Sequence, residues 1–449
     1  MNISAIVGGT VITRDGPVGA DVLIAGGKVA AVGEHPAGAG RPLDASGCWV
    51  LPGGVDPHCH LMAGIAQATA AAARGGTTTA LSFTSPAPGE SAVESLERGR
   101  SELEHRGAAI DVGLHAAIYD PDRVSHDDLA AARRAGATAI KIFLAYPELG
   151  IMCSTRRLFE LMSSARQLGL LVQVHCENGP LIEALEANAL NAEADRPVRA
   201  GPRIFADTRP AEVEEEAVAS TLAAAALASA PVYLVHLSTA GALDQVRLAR
   251  RRGQPPVFAE ACLHHLLFDD TRYTRGDAAR YLVCPPLRAR HHVKALWEGL
   301  EDGTIDAVGS DHCQAKTVTS GRLAAAGHGY SYGLAGIGPR LPLLMSAAIA
   351  RGLPVGRIVQ LAAEKAARAF GHYPRKGVLL AGSDADIVIF DPDGETVLPG
   401  NGLGDGTGDS VYAGQTAKGK VRDVLLRGRL IVSCGELVDA EPGGQFLPG

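Results

Sequence analysis

The stretch Leu51-Pro-Gly-Gly-Val-Asp-Pro-His-Cys-His-Leu61 decides how this chain is read. Its apolar lead-in, Cys48, Trp49, Val50 and Leu51, reads as a short buried strand, and the Pro-Gly-Gly break delivers Asp56, His58 and His60 just beyond it. Residues two apart on an extended segment point to the same side, so His58 and His60 can present both imidazoles to one centre. Imidazole nitrogen is the commonest protein ligand for zinc-like metals, and a neighbouring carboxylate can orient a ligating ring. Taken alone, a His-x-His pair is explained as well by two strand-end histidines satisfied by hydrogen bonds. The residues at the ends of the later strands decide between the two.

From residue 48 onward, apolar strand candidates alternate with Ala/Leu/Glu/Arg-rich helical stretches. The strands are Trp49 to Val55, Thr78 to Phe83, Asp111 to Ile118, Ala139 to Phe143, Leu170 to Val174, Val232 to Val235, Val257 to Cys262 and Ile305 to Gly309. Eight such units are the count for a closed (β/α)8, TIM-like barrel of the α/β class, here over residues 51–375. An open doubly wound sheet usually advertises a Gly-rich nucleotide loop after its first strand, and none is present. Both chain ends carry short strands instead. Ile3 to Val7, Thr10 to Thr13, Val22 to Ile24 and Val29 to Val32 precede the barrel; Ala385 to Phe390, Ser410 to Tyr412, Val421 to Leu426 and Leu430 to Val432 come after it. Residues 1–50 and 376–449 are therefore expected to pair into one small β-sandwich domain. The Gly-rich linker Gly400 to Gly408 is the only low-complexity tract.

Charge and cysteine usage narrow the class. With 42 Lys plus Arg against 49 Asp plus Glu, the net charge of −7 recommends neither nucleic acid nor an anionic membrane as partner. The eight cysteines are scattered, without a Cys-x-x-Cys pair, as expected of reduced thiols in the cytoplasm. No basic segment followed by an apolar core opens the chain, so no leader is expected. The most apolar stretch, Ala217 to Leu243, is broken by Pro231 and His236 and reads as a helix followed by a strand.

Catalytic groups of a (β/α)8 barrel sit at the C-terminal ends of its strands. The first strand leads to His58 and His60; the fourth carries Lys141; the fifth leads to His175, the sixth to His236 and the eighth to Asp311. Each has an ordinary explanation read singly: a snorkelling lysine, a backbone-bonded core histidine, a helix N-cap. Five strand ends carrying metal-ligand or acid-base residues together point to one shared metal site.

At these positions the chain resembles the amidohydrolase superfamily in its two-metal form, and specifically the hydantoinase/dihydropyrimidinase branch of cyclic amidohydrolases. Supporting stretches include Gly75-Gly-Thr-Thr-Thr79, Lys141-Ile-Phe-Leu-Ala-Tyr146, Val174-His-Cys-Glu-Asn178, Pro285-Pro-Leu-Arg288 and Gly309-Ser-Asp-His-Cys313. The resemblance implies that His58, His60 and Asp311 bind one divalent ion and His175 and His236 a second, zinc foremost. It implies that Lys141 is carbamylated and bridges the two, which would remove the cost of burying an ammonium in an apolar strand. A metal-bridged hydroxide would open the ring, with Asp311 moving the proton and Tyr146 donating to the developing oxyanion. Cys284 and Tyr332 would hold the cyclic amide through backbone atoms, and the assembly would be a homodimer or homotetramer.

Four departures from the family pattern bear on the pocket. Met62 stands where an acidic residue is usual, and only about fifteen residues separate His60 from Gly75-Gly76, so the wall they form is short. Cys284 replaces a serine and Tyr332 an asparagine. The expected activity is opening of a hydantoin- or dihydropyrimidine-type ring. Allantoinase or dihydroorotase chemistry would use the same metal site, and a non-catalytic scaffold related to the dihydropyrimidinases is the alternative from another class.

Overall fold

A computed structural model describes residues 2–33, 40–195, 202–314, 317–318, 329, 331–406, 410–438 and 443–449, and of 192–195, 317–318 and 331 the backbone alone. Its centre is a parallel sheet of Gly54–His60, Thr77–Phe83, Asp111–Ala117, Ala139–Phe143, Leu171–His175, Val232–Leu234 and Val257–Cys262, each paired with the next. An eighth, two-part strand closes it. Ala307–Gly309 pairs with Val257–Cys262, and His312–Cys313 returns to pair with Cys59 and His60 of the first strand. Helices Ile65–Arg74, Ala92–Arg106, His126–Arg134, Thr155–Gln167, Ala211–Ala228, Ala240–Arg251 and Arg290–Asp302 lie between the strands in sequence. Their starts are written locally: Ser91 with Glu94, and Ser125 with Asp128, form reciprocal capping boxes. The (β/α)8 expectation holds.

Side chains two apart on these strands share the barrel interior. Leu81, Ala139, Leu171 and Tyr233 form an apolar layer there, joined by Phe370 from outside the sheet. Lys141 and His175 lie further along the same faces as Ala139 and Leu171, toward the C-terminal mouth. The interior floor is thus packed, and polar residues begin above it.

The chain ends form two sheets. One has the order Lys28–Gly33, Asp21–Ala25, Ala5–Val7, Pro42–Asp44; the other runs Glu436–Leu437, Arg429–Ser433, Thr416–Leu426, Ile387–Val397, Trp49–Pro52, Thr10–Thr13, Gly16–Gly19. Ile6, Val11, Val22, Val50, Ile387 and Leu425 share one core between them, as expected of a sandwich.

Two strand expectations are corrected. Trp49 to Val55 is not one strand: Trp49–Pro52 pairs with Ile387–Val397 of the chain-end sheet, and the barrel strand starts at Gly54. The hinge is Gly53, where a Cβ would sit 2.0 Å from Thr78 Oγ1. Ser410 to Tyr412 is a turn, closed by the Tyr412 amide on Ser410 Oγ at 3.2 Å, with Tyr412 stacked on Phe268 rather than placed in a ladder. Of the Gly400 to Gly408 stretch, positions 407–408 lie outside the described residues. No helix among the described residues is long and apolar enough to cross a membrane.

Candidate metal centre

His58, His60, Lys141, Tyr146, His175, His236, Cys284, Asp311 and Tyr332 all line one cavity of about 260 Å³ at the C-terminal mouth of the barrel. In one half of it, Asp311 Oδ1 lies 3.0 Å from His58 Nε2 and 3.4 Å from His60 Nε2. In the other, His175 Nδ1 faces His236 Nε2 at 2.9 Å. The His58 and His236 rings are 5.3 Å apart, so the halves adjoin. Three of these residues, Tyr146, His236 and Asp311, have positive φ of 64°, 38° and 45°. That conformation is costly for a side chain bearing a Cβ, and it gathers at sites where geometry outranks local comfort.

Lys141 is 1% exposed, its amine 4.9 Å from the Phe83 ring centre and 5.3 Å from that of Phe143. Among the described residues it has no carboxylate within ion-pair distance. Burial lowers its pKa to about 8 against the pull of Asp311 and Glu260.

A family model for the amidohydrolase family matches residues 49–431. The chain belongs to the amidohydrolase family. The D-hydantoinase of Rhizobium radiobacter is 34% identical over 455 residues, 98% of this chain and 97% of that protein. A solved D-hydantoinase superposes with a TM-score of 0.91 at 34% identity, over 100% of this chain and 98% of that one. The dihydropyrimidinase of Brevibacillus agri NCHU1002 gives 0.89 at 33%, over 100% and 98%.

The amidohydrolase family works with divalent metal, and the donors present fit such an ion. His58, His60 and Asp311 offer three ligand atoms within 4.8 Å of one another. Burial keeps His60, His175 and His236 below the ordinary imidazole pKa, hence neutral with a lone pair to give. Burial pushes His58 the same way, yet the Glu260 and Asp311 carboxylates outweigh it and raise it to about 9. Two buried carboxylates around one imidazole call for a cation, and a metal ion at His58 Nε2 meets that demand without the proton.

Sequence reasoning missed the groups behind the histidines. Glu260, fully buried on the seventh strand, meets His58 Nδ1 at 2.7 Å, and Glu177 meets His175 Nε2 at 2.8 Å. A signal exists for Glu260, because a carboxylate inside Val257-Phe-Ala-Glu-Ala-Cys262 is as anomalous as Lys141 in its own strand. Asp56 does not orient a ring. Its Oδ1 accepts the backbone N–H groups of His58 at 3.3 Å and Ser310 at 3.0 Å, tying the first strand to the turn that presents Asp311.

The remaining wall is largely apolar. Met62, Tyr119, Phe143, Leu149 and Ile151 line it, so Met62 of the short loop does face the cavity. Tyr332 packs against Phe205 with ring centres 5.5 Å apart. Cys284 precedes a cis peptide bond to Pro285, and burial pushes its thiol up to about 12.

Proposed function

We propose that this protein hydrolyses a C–N bond of a cyclic amide or ureide of the hydantoin or dihydropyrimidine type, using two divalent ions, zinc foremost. The observation that carries the reading is Lys141: a buried amine with no counter-ion among the described residues, lying between the pair His58 and His60 and the pair His175 and His236. An amine held near pKa 8 is partly in its free-base form at neutral pH, the form that adds carbon dioxide. Carbamylated Lys141 would be the anion shared by both ions, with His58, His60 and Asp311 holding one and His175 and His236 the other. Bound there, the metal pair supplies Lewis acidity and lowers the pKa of water toward neutrality.

The chain's own groups do the rest. Burial alone would raise Asp311, but His58 and His60 hold its carboxyl well below the ordinary value, so it is ionised. Asp311 takes the proton of the attacking water and returns it to the ring nitrogen as the C–N bond breaks, leaving an N-carbamoyl or related acid. Tyr146, whose phenol burial keeps protonated, donates to the carbonyl oxygen as charge develops. Backbone groups of Cys284 and Tyr332 hold the amide face of the ring, and the apolar wall takes its substituent.

Among the described lining residues Lys141 is the only Lys or Arg, which favours an uncharged ring over a substrate carboxylate. All six ligand positions are filled, which argues against a non-catalytic scaffold. The domain division belongs to the same reading: 1–50 with 376–449, and 51–375, the chain-end strand Trp49–Pro52 running across the first boundary. So do a homodimer or homotetramer and a cytoplasmic setting, the latter supported by eight free cysteines.

The test is ring opening by protein prepared with bicarbonate and divalent metal, against dihydrouracil, hydantoins with small and aryl 5-substituents, allantoin, dihydroorotate and succinimide. Turnover of hydantoins or dihydrouracil is expected. Turnover confined to dihydroorotate or allantoin, or none with metal bound, would contradict the proposal.

A further inference from the structure

The two halves of the centre are supported unequally. Glu177 serves one histidine: its Oε2 is 2.8 Å from His175 Nε2, which leaves Nδ1 as the inward lone pair. Glu260 serves both halves. Its Oε1 lies 2.7 Å from His58 Nδ1 and accepts the backbone N–H of His236 at 3.2 Å, while its Oε2 accepts the Tyr233 hydroxyl at 2.8 Å. His236 sits at φ 38°, so its amide is held in a strained turn by that carboxylate. One buried carboxylate thereby fixes the tautomer of a ligand in the first half and the backbone carrying a ligand in the second.

We infer that Glu260 is a positioning residue that couples the two ion sites, whereas Glu177 positions one. The inference rests on the two-metal reading above. A carboxylate on the outer nitrogen of a ligating histidine fixes ring orientation and raises ligand basicity, and its loss costs about 10–100-fold in metal affinity. Because Glu260 touches both halves, its loss should weaken both binding steps. Loss of Glu177 should weaken one.

The experiment titrates metal-free full-length protein with Zn2+ against a competing chelator, beside the apo melting temperature of each variant. Wild type is expected to bind two ions per chain. Glu260→Gln should weaken both steps by about 10–100-fold with little change in the apo melting temperature, Glu260→Asp should recover part of the loss, and Glu177→Gln should weaken a single step. Both steps unchanged in Glu260→Gln, or one step alone affected, would overturn the inference and leave the two-metal reading intact. A wild type that binds no ion overturns both. Should Glu260→Gln fail to fold, Tyr233→Phe carries the test, since it frees the same carboxylate from one restraint: a several-fold loss at both steps is expected, and wild-type affinity would overturn the inference.

Discussion

Two lysines in this molecule are equally buried, each 1% exposed, and live in opposite surroundings. Lys376 lies toward the N-terminal end of the barrel, where its amine meets Asp111 at 2.5 Å, Asp386 at 2.6 Å and Asp384 at 2.9 Å. Burial disfavours its charge, but the three carboxylates more than compensate and raise its pKa above the ordinary lysine value. Asp111 opens the third barrel strand, and Asp384 and Asp386 lead into the chain-end sheet, so the lysine joins the two parts. Lys141, near the other end, has aromatic rings where Lys376 has carboxylates, and its pKa falls to about 8. A buried lysine completed by the fold is a clasp; one left incomplete is chemistry. The contrast matches the division of (β/α)8 barrels into a stabilising bottom and a reactive top.

The largest effect should come from Lys141→Met. Ring opening is expected to fall by more than about 10³-fold, beyond the loss of one oxyanion donor. The apo melting temperature should stay level or rise, because an uncompensated buried amine is gone; a large fall would make Lys141 a structural residue and dissolve the contrast. Next, Tyr146→Phe should lower kcat by about 10²–10³ with metal content unchanged, as measured by steady-state kinetics and metal analysis.

Lys376→Met inverts the pattern. It removes the cation shared by three buried carboxylates, leaving Asp111 with Arg427 and Asp384 with Lys28 and Arg375, and should cost about 3–5 kcal/mol in urea unfolding, while the folded protein keeps its kcat. The smallest effect is a pH dependence. Burial pushes the Asp384 carboxyl up, but Lys376, Lys28 and Arg375 hold it at about 2, below its ordinary 3.8. A depressed carboxyl stabilises the fold above its unfolded pKa and loses that contribution as pH falls through the folded one. The stability advantage of wild type over Asp384→Asn should therefore be full above about pH 4 and shrink toward pH 2, as read by urea midpoints across that range.

How much of this is written in the sequence depends on whether a residue's meaning is local. His58, His60, His175, His236 and Asp311 announce themselves by type and by position after an apolar strand, and the eight-fold alternation places them at one end. Lys141 is legible because a charge inside Ala139-Ile-Lys-Ile-Phe143 has no local remedy. Glu260 obeys the same logic but stays silent about its role, because its partners, His58 and Tyr233, are 202 and 27 residues away. The Pro-Gly-Gly break is visible in the sequence, but that its two sides join different sheets is not, because both are apolar; the approach of Thr78 is what makes Gly53 necessary. Tyr412 reads as a strand residue because burial and β-propensity coincide, whereas its burial comes from stacking on Phe268.

The most direct test of the account is carbon-13 NMR of protein reconstituted with divalent metal and 13C-bicarbonate. A carbamate carbonyl signal in wild type, absent from Lys141→Met, is the predicted result. Metal bound at full occupancy in an active wild type with no such signal would contradict the claim that Lys141 is left without a counter-ion in order to become one.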